Sequence, residues 1–112
     1  MGTCLVYSAQ IYGDGTVIYK GDEYVKIIGR KRYKISKDTV KKLMAEFRRI
    51  KFLSLKDVYD AGELELPALV TKVLLDGQGK KVVNYSGAPK ELNELHIRIL
   101  QDTKLFDYVG PL

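Results

Sequence analysis

The chain has 112 residues, 46% of them hydrophobic and 29% charged, with a single cysteine and a single histidine. This is the size and composition of one globular domain with room for a core, which argues against disorder and against a disulfide framework. The net charge is +5, but eleven of the nineteen basic residues lie between Arg30 and Lys56 with only Asp38 and Glu46 for company, so that segment carries +9 and the rest −4. Segregation of this kind speaks about partners rather than about fold. The apolar runs, Val73-Leu74-Leu75 among them, are far too short to span a bilayer, and the opening Met1–Val6 has neither a basic nor an apolar targeting segment. A cytoplasmic protein with no membrane partner is expected.

In chain order, residues 4 to 12 alternate and are rich in strand formers, and Gly13-Asp14-Gly15 reads as a tight turn. Thr16–Lys20 returns as a second strand. Gly21-Asp22 is read as the next turn, Tyr24–Ile28 as a third strand, and Arg32–Ile35 as a short fourth after Gly29-Arg30-Lys31. Ser36 has the chemistry of an N-cap. Beyond it Val40, Leu43, Met44, Phe47 and Ile50 recur with the spacing of an amphipathic helix. Residues 56 to 68 form the longest irregular stretch. Leu69–Leu75 and Lys80–Tyr85 make a hairpin about Asp76-Gly77-Gln78-Gly79. A second helix opens near Pro89, with Leu92, Leu95, His96 and Ile99 on one face and Glu94–Arg98 as an i,i+4 pair. The tail from Phe106 is read as an extended end. The order ββββ-α-ββ-α predicts an α+β fold, with an antiparallel sheet of five or six strands and both helices on one face.

The segment Cys4-Leu5-Val6-Tyr7-Ser8-Ala9-Gln10-Ile11-Tyr12-Gly13-Asp14-Gly15-Thr16-Val17-Ile18-Tyr19-Lys20-Gly21 resembles the opening of a family of small domains of unknown function, whose signature reads C-P-x-Y-S-x-x-I-Y-G-D-G-T-V-x-Y-x-G. Phe52–Asp57 and Tyr85–Pro89 also resemble that family's patterns, while Leu5 departs from them where the family has proline. The resemblance implies a fold unit and no reaction, and it carries over no site residues.

Five features carry candidate chemistry. Arg30, Lys31, Arg32, Tyr33, Lys37, Lys41, Arg48 and Arg49 form the candidate anion- or partner-binding set: cations attract phosphates or carboxylates, and a tyrosine among them offers a face for an unpaired base. The bland alternative is that a helix's solvent face is charged anyway. Cys4 and His96 are residue types of a nucleophile pair, but nothing in the sequence joins them, and a small buried thiol with a satisfied histidine is the simpler account. Asp57, Asp60, Glu63 and Glu65 lack the alternate spacing and central glycine of a calcium loop and read as a solvated loop. Ser86-Gly87-Ala88-Pro89 lacks the lysine of a phosphate loop and reads as a strand-to-helix connection. Tyr7, Tyr12, Tyr19, Tyr24, Tyr33 and Tyr85 fall on expected strands, where they either fill the sheet or furnish a docking face. The reading at this level is a non-enzymatic interaction module for an acidic protein or for a second copy of itself. It needs no metal or cofactor. The alternatives are nucleic-acid binding through residues 30 to 56 and thiol chemistry at Cys4.

Overall fold

A computed structural model describes residues 6–62 and 69–110. Over these described residues the chain is α+β, with three helices and two three-stranded sheets in place of the single five- or six-stranded sheet expected. Its contacts divide it into two compact units, residues 1–43 with 96–112 and residues 44–95.

In the first unit, β1 (Val6–Ile11), β2 (Thr16–Glu23) and β3 (Gly29–Lys34) form an antiparallel sheet in the order β1-β2-β3. The first hairpin is closed by Asp14, whose Oδ1 accepts the Thr16 amide at 2.9 Å. The expected turn at Gly21-Asp22 is not a turn. Gly21 sits inside β2, paired with Tyr7 on one side and Gly29 on the other. A Cβ there would strike the Ile27 carbonyl oxygen and the Tyr19 hydroxyl, so the glycine serves a close approach of backbone. The expected strand Tyr24–Ile28 is also absent. Tyr24 takes a left-handed φ of 58°, and Lys26 and Ile27 donate to the carbonyls of Val109 and Tyr108 rather than to the sheet. The strand after it begins at Gly29, so Arg30 and Lys31 belong to β3 and not to a turn.

Alternation along β2 turns Val17 and Tyr19 inward, both fully buried. They join Leu100, Leu105 and Val109 in the core, with Tyr7, Tyr33 and Tyr108 packed against them. The Tyr33 and Tyr108 rings stack with centroids 4.9 Å apart, and Tyr19 lies 5.4 Å from Tyr108. Burial obliges their hydroxyls to find partners. Tyr19 donates to the Ile27 carbonyl at 2.8 Å and Tyr33 to the Thr103 carbonyl at 2.7 Å. The tail expected to be extended instead makes a one-turn helix, α3 (Phe106–Val109), stopped by Gly110 at φ 96°.

Helix α1 (Lys37–Arg49) starts as its sequence dictates, with Ser36 Oγ accepting the Thr39 amide at 3.0 Å and Asp38 in the first turn. Within the second unit the chain leaves this helix through Lys51, at φ 56°, into a 3-10 turn, Phe52–Ser54. Phe47 and Phe52 meet edge to face at 5.0 Å, and both are buried with Leu75, Val82, Leu92 and Leu95. The stretch read as irregular contains β4 (Val58–Tyr59), which pairs parallel to β6 (Gln78–Asn84). β6 also pairs antiparallel with β5 (Leu69–Leu75), giving the order β4-β6-β5. The hairpin turn is Asp76-Gly77 alone, with φ of 52° and 79°, the two positive values that a two-residue turn matching strand twist requires. Helix α2 (Lys90–Asp102) follows Pro89, and Arg98 pairs with Asp102 at 3.0 Å as its i,i+4 neighbour.

Candidate anion-binding surface

The sheet of the first unit has a buried face and an outer one, and the outer face collects cations. β3 alternates, so Arg30, Arg32 and Lys34 point outward while Lys31 shares the side of Tyr33. Register does the rest: Arg30 lies directly opposite Lys20 on β2, Arg32 opposite Ile18, and Lys34 opposite Thr16. The rows continue onto β1 with Ser8 opposite Lys20 and Gln10 opposite Ile18. Two like charges directly opposite each other on one sheet face repel. Lys20 has some relief from Asp22 at 3.6 Å and Lys34 from Asp14 at 3.7 Å, all four side chains being widely exposed. The backbone amide of Thr16, which bonds to Asp14, holds that carboxyl below its ordinary range, and Lys34 and Arg32 add to this. Among the described residues, Arg30, Lys31 and Arg32 have no carboxylate at ion-pair distance.

The remaining candidates divide between the units. Lys37 and Lys41 are exposed on α1, and neighbouring Lys42 is engaged by Asp38 at 3.2 Å. In the second unit Arg48 makes two hydrogen bonds to Asp76, at 2.9 and 3.1 Å, and Arg49 is held by Glu46 at 2.9 Å. The hydrogen bonds from Arg48 keep the Asp76 carboxyl below its usual range. Those two arginines already have anions. Tyr33 is committed to the core, with one face stacked on Tyr108 and its hydroxyl on Thr103. Burial pushes its phenol up to about 12. The structure therefore brings Arg30 and Arg32 together with Lys20 and Lys34, and turns Tyr33 away from them. Reading the sequence as one basic block missed Lys20, because it stands ten residues upstream of Arg30. Only strand register sets it beside that residue.

The other candidates resolve into local structure. Cys4, Glu63 and Glu65 lie outside the described residues. His96 is half-buried, and desolvation holds its imidazole below the ordinary value. Asp57 is bound by Lys80 at 2.7 Å, which lowers its carboxyl, and Asp60 accepts the Gly62 amide at 2.9 Å. Ser86 Oγ accepts the Ala61 amide at 3.0 Å, and Gly87 rests against the Ala61 side chain. That segment joins strand to helix, as its sequence suggests. Among the described residues no group of three or more His, Cys, Asp or Glu side chains converges as metal ligands would, and no helix is long and apolar enough to cross a membrane.

The family model described as Domain of unknown function (DUF6438) matches residues 1–101. Comparison with curated proteins and with solved structures gives no match.

Proposed function

The chain belongs to the DUF6438 family of domains of unknown function, and we propose that it is a non-enzymatic binding module whose outer β1-β2-β3 face receives an acidic segment of a protein partner. The observation behind this is the Lys20–Arg30 juxtaposition, extended by Arg32 and Lys34. Like charges facing each other across a sheet oppose folding slightly and gain from any anion laid between them. Arginine prongs at Arg30 and Arg32 suit planar carboxylates. A protein partner is favoured over single-stranded nucleic acid because the aromatics of the basic block offer no platform for a base: Tyr33 is packed inward, and Phe47 and Phe52 are buried.

The test is a titration of the protein with poly-glutamate and, separately, with single- and double-stranded oligonucleotides, followed by amide NMR at low and moderate salt. Poly-glutamate should move the amides of Lys20, Arg30, Arg32 and Lys34, and the double substitution Arg30→Glu with Arg32→Glu should abolish the effect. Tighter oligonucleotide binding with a steep salt dependence would replace the reading with a nucleic-acid one. No response to any polyanion would leave these cations as an ordinary solvated face.

A further inference from the structure

The second unit has a different surface with its own chemistry. Within the described residues β5 is an edge strand, paired with β6 on one side only. Among the described residues no other backbone bond reaches Leu69–Leu75. A row of unpaired amides and carbonyls of this length is a template for another strand. The side chains standing on its outer face are Val70, Lys72 and Leu74. Val70 is 50% exposed and Leu74 71% exposed, high values for such residues in a strand.

The cause of the Leu74 exposure lies across the ladder. Its partner on β6 is Gly79, which has no side chain to cover it. A Cβ built at Gly79 meets nothing within 4 Å. The result is a shallow depression lined by Lys72, Leu74, Gly79 and Lys81 together with Val73 and Lys80. Lys72 itself lies directly opposite Lys81. The second sheet thus repeats the electrostatic theme of the first, a like-charge pair on an outer face, but here apolar positions flank it along the strand.

We propose that β5 is a strand-addition site for an extended peptide of the pattern apolar–x–acidic–x–apolar. Backbone bonds to the free edge of β5 supply the affinity. Period-two alternation then sets the pattern: the acidic residue falls opposite Lys72 and within reach of Lys81, while the apolar residues two positions away cover Val70 and Leu74. The depression beside Gly79 accepts the apolar side chain at the Leu74 end. A second copy of the chain fits poorly, because the antiparallel register that sets Val70 against Leu74 of the other copy also sets Lys72 against Lys72. This inference stands on the second unit alone and does not rest on the reading of the β1-β2-β3 face.

The probe is a pair of synthetic peptides that alternate valine and threonine, one with glutamate at its centre and one with lysine, titrated into the whole protein and followed by amide NMR. The glutamate peptide should shift and protect the amides of Leu69–Leu75 and bind about fivefold or more tighter than the lysine peptide. Lys72→Glu should reverse that ranking, and Gly79→Val, which fills the depression, should weaken both peptides. Methylating alternate peptide nitrogens should abolish binding in one of the two possible phases, as a ladder of backbone bonds requires. The proposal is overturned if the two peptides bind equally well, if β5 amides do not respond, or if β5 is protected without peptide in a concentration-dependent way, which would place a second copy on the edge. Shifts confined to the β1-β2-β3 face would also overturn it while leaving the proposed function intact.

Discussion

Replacing Gly21 with alanine separates two accounts of the same residue. If Gly21 were an ordinary strand glycine with no positive φ, alanine would reduce the freedom of the unfolded chain and stabilise the protein by about 0.4–1 kcal/mol. The structure demands the opposite sign. The added methyl would collide with the Ile27 carbonyl oxygen and the Tyr19 hydroxyl, and would come within 2.8 Å of Val25 Cγ2. Neither close neighbour is a free side-chain end. The carbonyl is backbone, and the hydroxyl belongs to a fully buried tyrosine that donates to that same carbonyl at 2.8 Å. Overpacking of this kind costs about 1–3 kcal/mol. Displacing the hydroxyl from its acceptor adds about 1 kcal/mol. The sum of about 2–4 kcal/mol should lower the thermal midpoint by about 10 °C or more. Thermal and urea denaturation followed by circular dichroism measure it. Gly79→Ala is the internal control, since Gly79 is also a strand glycine without positive φ but has open space about its Cβ. It should be neutral or slightly stabilising. A Gly21→Ala protein that unfolds at or above the wild-type temperature would show that β2 does not approach Ile27 as described.

Three further outcomes follow from the packing and the titrating groups. Tyr33→Phe should keep the ring stack on Tyr108 but lose the 2.7 Å bond to the Thr103 carbonyl, a cost of about 1 kcal/mol read in urea denaturation. Because burial raises the Tyr33 phenol from 10.0 to about 12, its contribution to stability should be complete below pH 10 and be lost as pH rises through about 12, and since burial also raises the Tyr7 and Tyr19 phenols, the late-titrating phenolates of an ultraviolet titration should be one fewer in the Tyr33→Phe protein. His96 has the reverse dependence. Its folded value is depressed by desolvation, so stability should be complete above the ordinary histidine value of 6.5 and decline as pH falls through the lower folded one, and His96→Gln should flatten that part of the profile. Arg48→Ala should leave the thermal midpoint nearly unchanged, since the pair with Asp76 is solvent-exposed, yet return the Asp76 carboxyl toward its ordinary range in a carbon-detected NMR titration.

The local elements with strong periodic or capping signals were legible. The helix from Lys37 was marked by Ser36, Asp38 and the recurrence of Val40, Leu43 and Phe47, and the second hairpin by Asp76-Gly77 between two apolar runs. Gly21 misled because a turn glycine and a close-approach glycine have the same letter. What distinguishes them is the Ile27 carbonyl, brought in by a segment whose own partners, Tyr108 and Val109, stand more than eighty residues away along the chain. The two-residue β4 was invisible for a related reason. A parallel pair contributes no turn signal, and Val58-Tyr59 has no periodicity of its own.

The tyrosines show how the same division bears on function. That Tyr7, Tyr19 and Tyr33 lie on strands follows from propensity and alternation, which are properties of neighbouring residues. Which way each strand turns them was decided by the core they meet, and they turned inward onto Leu100, Leu105, Val109 and Tyr108. Charge followed the same rule. Composition and order alone determined that the chain is an α+β protein with a basic middle and a family's opening signature. Register, a relation between residues distant in sequence, decided that Lys20 faces Arg30, that Lys72 faces Lys81 and that Gly79 leaves Leu74 uncovered. Those surfaces exist only because backbone hydrogen bonding fixes which residue stands opposite which, and no local preference encodes that choice.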